Sequence, residues 1–221
     1  MRNHLDFPPT LFINLDSRTD RLNEITQEFT GWPIRIERVS AVKHTHGWKG
    51  CAESHIHCVR LAKERNYPWV IIVEDDCILR PTAKEAAAQL RSLLPFLWAN
   101  RTEWDIFYGG TTFLTEHKRI PHSPFFQVKG FAAHFCLIHQ VTYDKILSTY
   151  PHTKAIDVFY SENFRIWTTT PFFARQRPGV SDITGNPVDD YNRHFDKAEA
   201  ELGRQGNGPW WMRLTYTLKL Q

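Results

Sequence analysis

One stretch, residues 69–79, constrains the fold of this chain more than any other. Residues 70–73 form an apolar, β-branched run that ends at three consecutive carboxylates, Glu74, Asp75 and Asp76. Such a run predicts a strand that is buried on both faces, as in a parallel sheet. Adjacent carboxylates repel one another unless positive charge lies between them, and hard divalent cations prefer carboxylate oxygens. Since ligands of α/β sheets bind at the carboxyl ends of strands, the pattern favours a cation site here. A solvated acidic turn is the alternative.

The composition is that of one globular domain with 221 residues and a net charge of +3. We expect a core over about residues 10–187 and a divergent tail over 188–221. The charge is too small to indicate nucleic acid but suits an anionic small ligand. No run is long enough to span a membrane, and residues 1–9 lack the apolar region of a signal peptide. Four cysteines without a C-x-x-C pair predict reduced thiols and a cytoplasmic protein.

The rest of the sequence alternates between strand and helix patterns. Strands are predicted at residues 10–14, 34–39, 105–108, 126–128, 135–139, 164–168 and 172–175, in addition to 69–79. Helices are predicted at about residues 18–29, 51–65, 81–98 and 141–150. Residues 43–50 and most of 111–130 are predicted as loops. This order predicts an α/β sandwich with a mixed, mainly parallel central sheet.

Six short motifs occur in the order typical of one enzyme family. They are Ile-Asn-Leu-Asp-Ser-Arg-Thr-Asp-Arg at 13–21, Ser-Ala-Val at 40–42, Gly-Cys-Ala-Glu-Ser-His at 50–55, the acidic strand end at 70–76, residues 132–147 and Ser-Asp-Ile at 181–183. Together they resemble glycosyltransferase family 25, which contains lipooligosaccharide galactosyltransferases and collagen galactosyltransferase domains. Ala132 stands where the family has glycine, and Cys136 where it has an aromatic residue. The resemblance implies a GT-A type nucleotide-sugar-binding fold, a UDP-sugar donor, Mn²⁺ and inversion at the anomeric carbon.

The predicted metal site follows from the chemistry of the leaving group. A cation that bridges a departing diphosphate neutralises the charge that develops on it. We expect Asp76 to be the direct ligand of Mn²⁺ or Mg²⁺, with Glu74 beside it because both occupy alternate positions of an extended segment. His134 is the third predicted ligand, and a hydrogen-bonded core histidine is its alternative. Asp75 is expected to turn away from the metal.

The predicted donor pocket lies around the first strand and the helix after it. Arg18 and Arg21 are one turn apart at a helix N-terminus, where phosphate binds readily. A surface pair with Asp20 as a local partner is the alternative. The resemblance adds Ala41 and Ser54-His55 to the pocket. The predicted set is Asn14, Leu15, Arg18, Arg21, Ala41, Ser54, His55, Glu74 and Asp75.

Cys51 and His55 also invite a zinc interpretation, because they lie four residues apart on a predicted helix. The neighbouring residues His44, His46, His57 and Cys58 do not extend this pair into the spacing of a standard zinc module. The donor-pocket interpretation is therefore preferred.

Inversion requires a base that takes the proton of the acceptor hydroxyl. Asp157, Glu162 and Asp182 are the candidates. Asp157 is ranked first, because an apolar run around a carboxyl raises its pKa toward the useful range. A buried, hydrogen-bonded aspartate would give the same pattern. Asp182 is the second catalytic candidate, as a donor or acceptor contact.

The sequence thus predicts an inverting, metal-dependent transfer of a hexose, galactose or glucose, from a UDP-sugar. The acceptor would be a hydroxyl of a glycan, a lipooligosaccharide or a protein, with no nucleic acid involved. A metal-dependent nucleotidyltransferase and a non-catalytic carbohydrate-binding protein are the alternatives. The aromatic, basic segment 210–220 predicts either peripheral membrane contact or packing against the domain.

Overall fold

A computed structural model describes residues 6–180, 187–188 and 191–205 of the chain. The strands are β1 (Thr10–Asn14), β2 (Glu37–Ser40), β3 (Trp69–Glu74), β4 (Cys77–Leu79), β5 (Ile106–Tyr108), β6 (Thr112–Arg119), β7 (Phe125–Phe131), β8 (Phe135–His139), β9 (Ile166–Thr169), β10 (Ala174–Gln176), β11 (Gly179–Val180) and β12 (Pro187–Val188). The helices are α1 (Thr19–Glu28), α2 (Gly47–Glu64), α3 (Ala83–Ala99), α4 (Gln140–Thr149), α5 (Ile156–Asn163) and α6 (Tyr191–Gln205). None of the helices in these ranges is long and apolar enough to cross a membrane.

Eight strands form one mixed sheet in the order β2-β1-β3-β8-β5-β9-β7-β6. β1 pairs in parallel with β2 and β3, and β5 pairs in parallel with β9. β7 and β8 run against the other six strands, because every pairing that they make is antiparallel. The predicted α/β sandwich with a mixed sheet is therefore confirmed; six of its strands share one direction, and four of the seven pairings are antiparallel.

Both faces of the sheet are covered by helices, which explains the unbroken apolar run of β3. Val70 and Ile72 pack into a core with α2, α4, α5 and α6, whereas Ile71 and Val73 pack on the other face with α1 and α3. All four side chains are fully buried. Burial of each contributes on the order of 1.5–3 kcal/mol.

The predicted strand at 69–79 is divided into two strands. β3 ends at Glu74, and a turn at Asp75 and Asp76 leads into β4, which pairs with β10 in a separate small sheet. The turn moves two of the three carboxylates off the strand.

Two predictions elsewhere were wrong. Residues 112–119 form β6 rather than a loop, and β6 makes a hairpin with β7, which contains the strand predicted at 126–128; Lys129 and Glu116 pair at 3.2 Å across it. The exposed, polar residues of β6 hid its alternation. The second error is α5, which the apolar sequence around Asp157 did not indicate.

Candidate functional site

The topology brings residues from distant parts of the sequence to one edge of the sheet. β1, β2 and β3 are parallel, so their last residues, Asn14, Ser40 and Glu74, lie at the same edge. β8 runs the opposite way and therefore begins at that edge, where the Glu74 amide donates a 3.0 Å hydrogen bond to the carbonyl of His134. A cavity of about 530 Å³ lies near the beginnings of β1 and β2 instead, away from these residues.

Asp75 has protein partners for both of its carboxylate oxygens. Arg21 Nη1 donates to Oδ1 at 2.9 Å, and Asn14 Nδ2 donates to Oδ2 at 2.8 Å. Burial nevertheless raises the pKa of Asp75 against these two favourable contacts. Arg21 and Asn14, both predicted to contact the nucleotide, thus hold the acidic turn in place.

Glu74 points toward α2, as the alternation of β3 requires. Its Oε1 lies 3.0 Å from His55 Nε2 and accepts a 3.6 Å hydrogen bond from Cys51 Sγ. Burial is the largest effect and opposes ionisation of Glu74, but His55, His134 and Cys51 together outweigh it, so the pKa of Glu74 lies below its ordinary value.

Asp76 is the one carboxylate of the three without a close partner. Its Oδ1 is buried and has no hydrogen-bond partner among the described residues, and its Oδ2 is 3.8 Å from Arg21 Nη1. Burial is the main cause that raises the pKa of Asp76 to about 8, and the negative charge of Glu74 is the second. Arg21 opposes the shift. A carboxylate in this state favours an added cation.

His134 is fully buried, and neither ring nitrogen makes a hydrogen bond of good geometry within the described ranges, although the Ala174 backbone lies close enough to affect its pKa. Burial lowers its pKa to about 4 against the smaller effects of the Ala174 backbone and Glu74. The imidazole is therefore neutral near pH 7. Among the described residues, the one set of three potential ligand atoms within 4.8 Å of one another is Cys51, His55 and Glu74. The predicted ligands Asp76, Glu74 and His134 do not form such a set, because their ligand atoms do not all lie within 4.8 Å of one another.

The Arg18 side chain pairs with Asp20 at 2.7 Å, which is the local partner considered from the sequence. A residue that sequence reasoning missed, Arg38, lies closer to the strand ends. Its Nε donates to Asn14 Oδ1 at 2.9 Å, and its Nη2 is 2.6 Å from Asp16 Oδ1. The available signal was an arginine within the short strand β2.

The remaining predicted pocket residues hold the backbone at this edge. The Ala41 amide donates to the Asn14 carbonyl at 2.9 Å, and the Leu15 carbonyl accepts from the Arg18 amide at 2.9 Å. Ser54 Oγ accepts from the Val42 amide at 2.8 Å, so it ties the segment after β2 to α2.

Asp157 lies in the first turn of α5, and its Oδ1 accepts a 2.8 Å hydrogen bond from the Val158 amide. Burial raises its pKa, and the charge of Glu74 adds to the shift. Asp157 thus lies close enough to Glu74 for the two charges to interact. Glu162 is at the far end of α5 and pairs with Lys154. Asp182 lies outside the described residues.

A family comparison adds to this geometry. Residues 43–127 match the model of a protein family described as "Glycosyltransferase family 25 (LPS biosynthesis protein)". The resemblance inferred from the motifs is therefore confirmed over those residues, which include α2 and the acidic end of β3. His134 and Asp157 lie beyond the matched stretch. The match to family 25 over this stretch supports glycosyltransferase activity.

Comparison with solved structures gives matches of low similarity. A197 from STIV is 13% identical with a TM-score of 0.47, over 77% of this chain and 85% of that chain. A glycosyltransferase involved in glycosylation of the major capsid of PBCV-1 is 9% identical with a TM-score of 0.37, over 62% of each chain. Mannose-1-phosphate geranyltransferase from Thermus thermophilus is 8% identical with a TM-score of 0.40, over 72% of this chain and 58% of that chain. No curated protein matches the chain.

Proposed function

We propose that this protein is an inverting, metal-dependent glycosyltransferase that moves a hexose, galactose or glucose, from a UDP-sugar to a hydroxyl acceptor. The observation that carries the proposal concerns Asp76. This residue is buried close to the charge of Glu74, and its Oδ1 has no hydrogen-bond partner among the described residues. The match of residues 43–127 to glycosyltransferase family 25 supports the class of reaction. The GT-A type of the sandwich is part of the same proposal.

The donor set fits a hard divalent cation. Asp76 offers a buried carboxylate oxygen, and His134 offers a neutral imidazole without a hydrogen bond of good geometry in the described ranges. Asp76 would hold Mn²⁺ or Mg²⁺ through its carboxylate, and Glu74 and His134 would join it only after a rearrangement, because the ligand atoms of these three residues do not all lie within 4.8 Å of one another. Bound there, the cation would neutralise charge on the leaving diphosphate.

The chain's own residues supply positioning and donors. Arg21 and Asn14 fix Asp75, which keeps the turn and therefore Asp76 at the carboxyl edge of the sheet. The N-terminus of α1 and the guanidinium groups of Arg18 and Arg38 lie at the same edge and favour an anionic nucleotide.

Asp157 is the proposed base. Its raised pKa strengthens its affinity for a proton, which suits removal of the acceptor hydroxyl proton as that oxygen attacks. The proton would pass to a carboxylate oxygen of Asp157 while the bond between the sugar and the diphosphate breaks.

The test is hydrolysis of UDP-galactose and UDP-glucose with and without Mn²⁺, followed by mass spectrometry. We expect Mn²⁺ to stimulate turnover and Asp76→Ala to abolish it. Glu116→Ala, which removes an exposed carboxylate of β6, is the matched control and should keep full activity. Asp157→Asn should retain Mn²⁺-dependent donor binding while losing transfer. No turnover of either donor, together with no shift of the melting temperature by nucleotide sugars and Mn²⁺, would overturn the proposal.

The same assay separates the alternatives. A nucleotidyltransferase would consume a nucleoside triphosphate and release pyrophosphate. A non-catalytic carbohydrate-binding protein would bind glycans without metal and tolerate Asp76→Ala. The acceptor is proposed as a glycan, lipooligosaccharide or protein. A cytoplasmic location and peripheral membrane contact through the tail stay predictions, since residues 206–221 lie outside the described ranges.

A further inference from the structure

A cluster of three potential metal ligands lies beside the proposed hexosyl-transfer site and has a different chemistry. Cys51 and His55 come from α2, and Glu74 comes from the end of β3. We propose that Cys51, His55 and Glu74 form a second cation site, selective for a borderline divalent cation such as Zn²⁺. The proposal rests on the geometry of these three side chains, of which Glu74 also lies beside Asp76 at the proposed transfer site.

The spacing of the ligand atoms fits tetrahedral coordination. Zinc bonds of about 2.3 Å to sulfur and about 2.0–2.2 Å to nitrogen or oxygen place tetrahedral ligand atoms about 3.3–3.7 Å apart. Cys51 Sγ lies 3.6 Å from Glu74 Oε1, and His55 Nε2 lies 3.0 Å from the same oxygen. The three atoms all lie within 4.8 Å of one another. The two separations to Glu74 Oε1 therefore differ from the tetrahedral values by a few tenths of an ångström at most, and the third lies under 4.8 Å.

The arrangement follows from regular structure rather than from a loop. Positions four apart on a helix lie one above the other, so Cys51 and His55 share the face of α2 that is turned to the sheet. Glu74 points to that face because it continues the alternation of Val70 and Ile72. Its backbone is fixed by the hydrogen bond to the His134 carbonyl. Ligands on rigid elements hold a site in place before the ion arrives.

The exposure of the three residues gives an ion both access and selectivity. Cys51 is partly exposed, and the side chain of Glu74 is 17% exposed, so the cluster is open on one side. His55 is fully buried, and its Nδ1 has no partner among the described residues. Three protein ligands leave a fourth position for water or another ligand. A thiolate favours Zn²⁺ over Mn²⁺, and of the two proposed sites only this one contains a cysteine.

Cobalt(II) is the probe, because a cobalt–thiolate bond gives a near-ultraviolet charge-transfer band that oxygen ligands do not give. We expect the wild-type protein to bind one equivalent of Co²⁺ with this band, and stoichiometric Zn²⁺ to displace it. Cys51→Ser, which is nearly isosteric, should abolish the band and weaken Zn²⁺ binding by at least about tenfold. Cys58→Ala is the matched control, since Cys58 lies on the same helix but outside the cluster, and it should retain the band.

Asp76→Asn separates this inference from the proposed function. It should remove Mn²⁺-dependent turnover and leave the cobalt band unchanged. Absence of the band in wild-type protein would overturn the second site, as would its persistence in Cys51→Ser. If the wild-type protein showed the cobalt band but no Mn²⁺-dependent turnover, only the proposed function would be overturned.

Discussion

Replacement of Asp76 by asparagine should stabilise the metal-free protein while it destroys the proposed activity. The native pKa of Asp76 is about 8, against an ordinary value of 3.8. Because the native state binds this proton more tightly than the unfolded state, the contribution of Asp76 to wild-type stability is highest at low pH. It falls as the pH rises from about 4 to about 8 and is constant above that range.

The magnitude follows from the size of the shift. Each unit of pKa corresponds to about 1.4 kcal/mol, and about three units separate 3.8 from pH 7, so the ionisable group costs at most about 4 kcal/mol at that pH. The asparagine amide removes the titration but introduces buried N–H groups that need acceptors. We therefore expect Asp76→Asn to raise the free energy of unfolding by about 1–3 kcal/mol at pH 7.

The assay is urea unfolding in a chelator between pH 5 and pH 8.5, repeated with Mn²⁺. The variant should lose most of the decline with pH and all of the stabilisation by Mn²⁺. Asp75→Ala is the control, because it leaves the Arg21 and Asn14 donors without their carboxylate and should destabilise the protein. A less stable Asp76→Asn protein in chelator, or an unchanged pH slope, would refute the reasoning.

Three further predictions concern the fold. Burial, together with the charge of a nearby arginine, lowers the pKa of His139 to about 4, so the contribution of His139 to stability should be lost as the pH falls from about 6.5 to 4. Asparagine at this position can still cap α4. His139→Asn should therefore reduce the loss of stability in acid by about 2 kcal/mol, measured by unfolding at several pH values. Arg175 pairs with Glu199, so Arg175→Met should destabilise the protein by about 2 kcal/mol and accelerate amide exchange in α6. Gly110→Ala would place a Cβ 2.3 Å from a backbone oxygen and should cost about 1–3 kcal/mol in urea unfolding, whereas Gly203→Ala, with open space, should stabilise α6 by about 0.5–1 kcal/mol.

The hydrophobic pattern was sufficient to predict the bounds of a strand wherever all of its residues are buried. The strands at 10–14 and 135–139 were predicted with the bounds that β1 and β8 have. Their residues are buried throughout, so hydrophobicity marks both ends. β6 was missed because one side of it is exposed and carries charge.

The acidic strand end was located from the sequence, but its internal arrangement was not. Alternation predicted that Glu74 and Asp76 share a face, and the rule applies only while the chain stays extended. The chain is no longer extended after Glu74, where it turns. As a result, Glu74 contacts α2, whereas Asp75 contacts α1 and β1. Pair spacing on α2 indicated Cys51 and His55, and their third partner is visible only in three dimensions.

The sheet order has a consequence for how this protein can be divided. Within residues 43–127, β3 has neither of its neighbours, since it pairs with β1 and β8. β5 is in the same position, because it pairs with β8 and β9, and so is β4, which pairs with β10. A fragment limited to the family-matched stretch would expose unpaired, apolar strand edges, which are templates for aggregation. The most recognisable part of the sequence is therefore not a folding unit, and an expression fragment must include the strands on both sides of it.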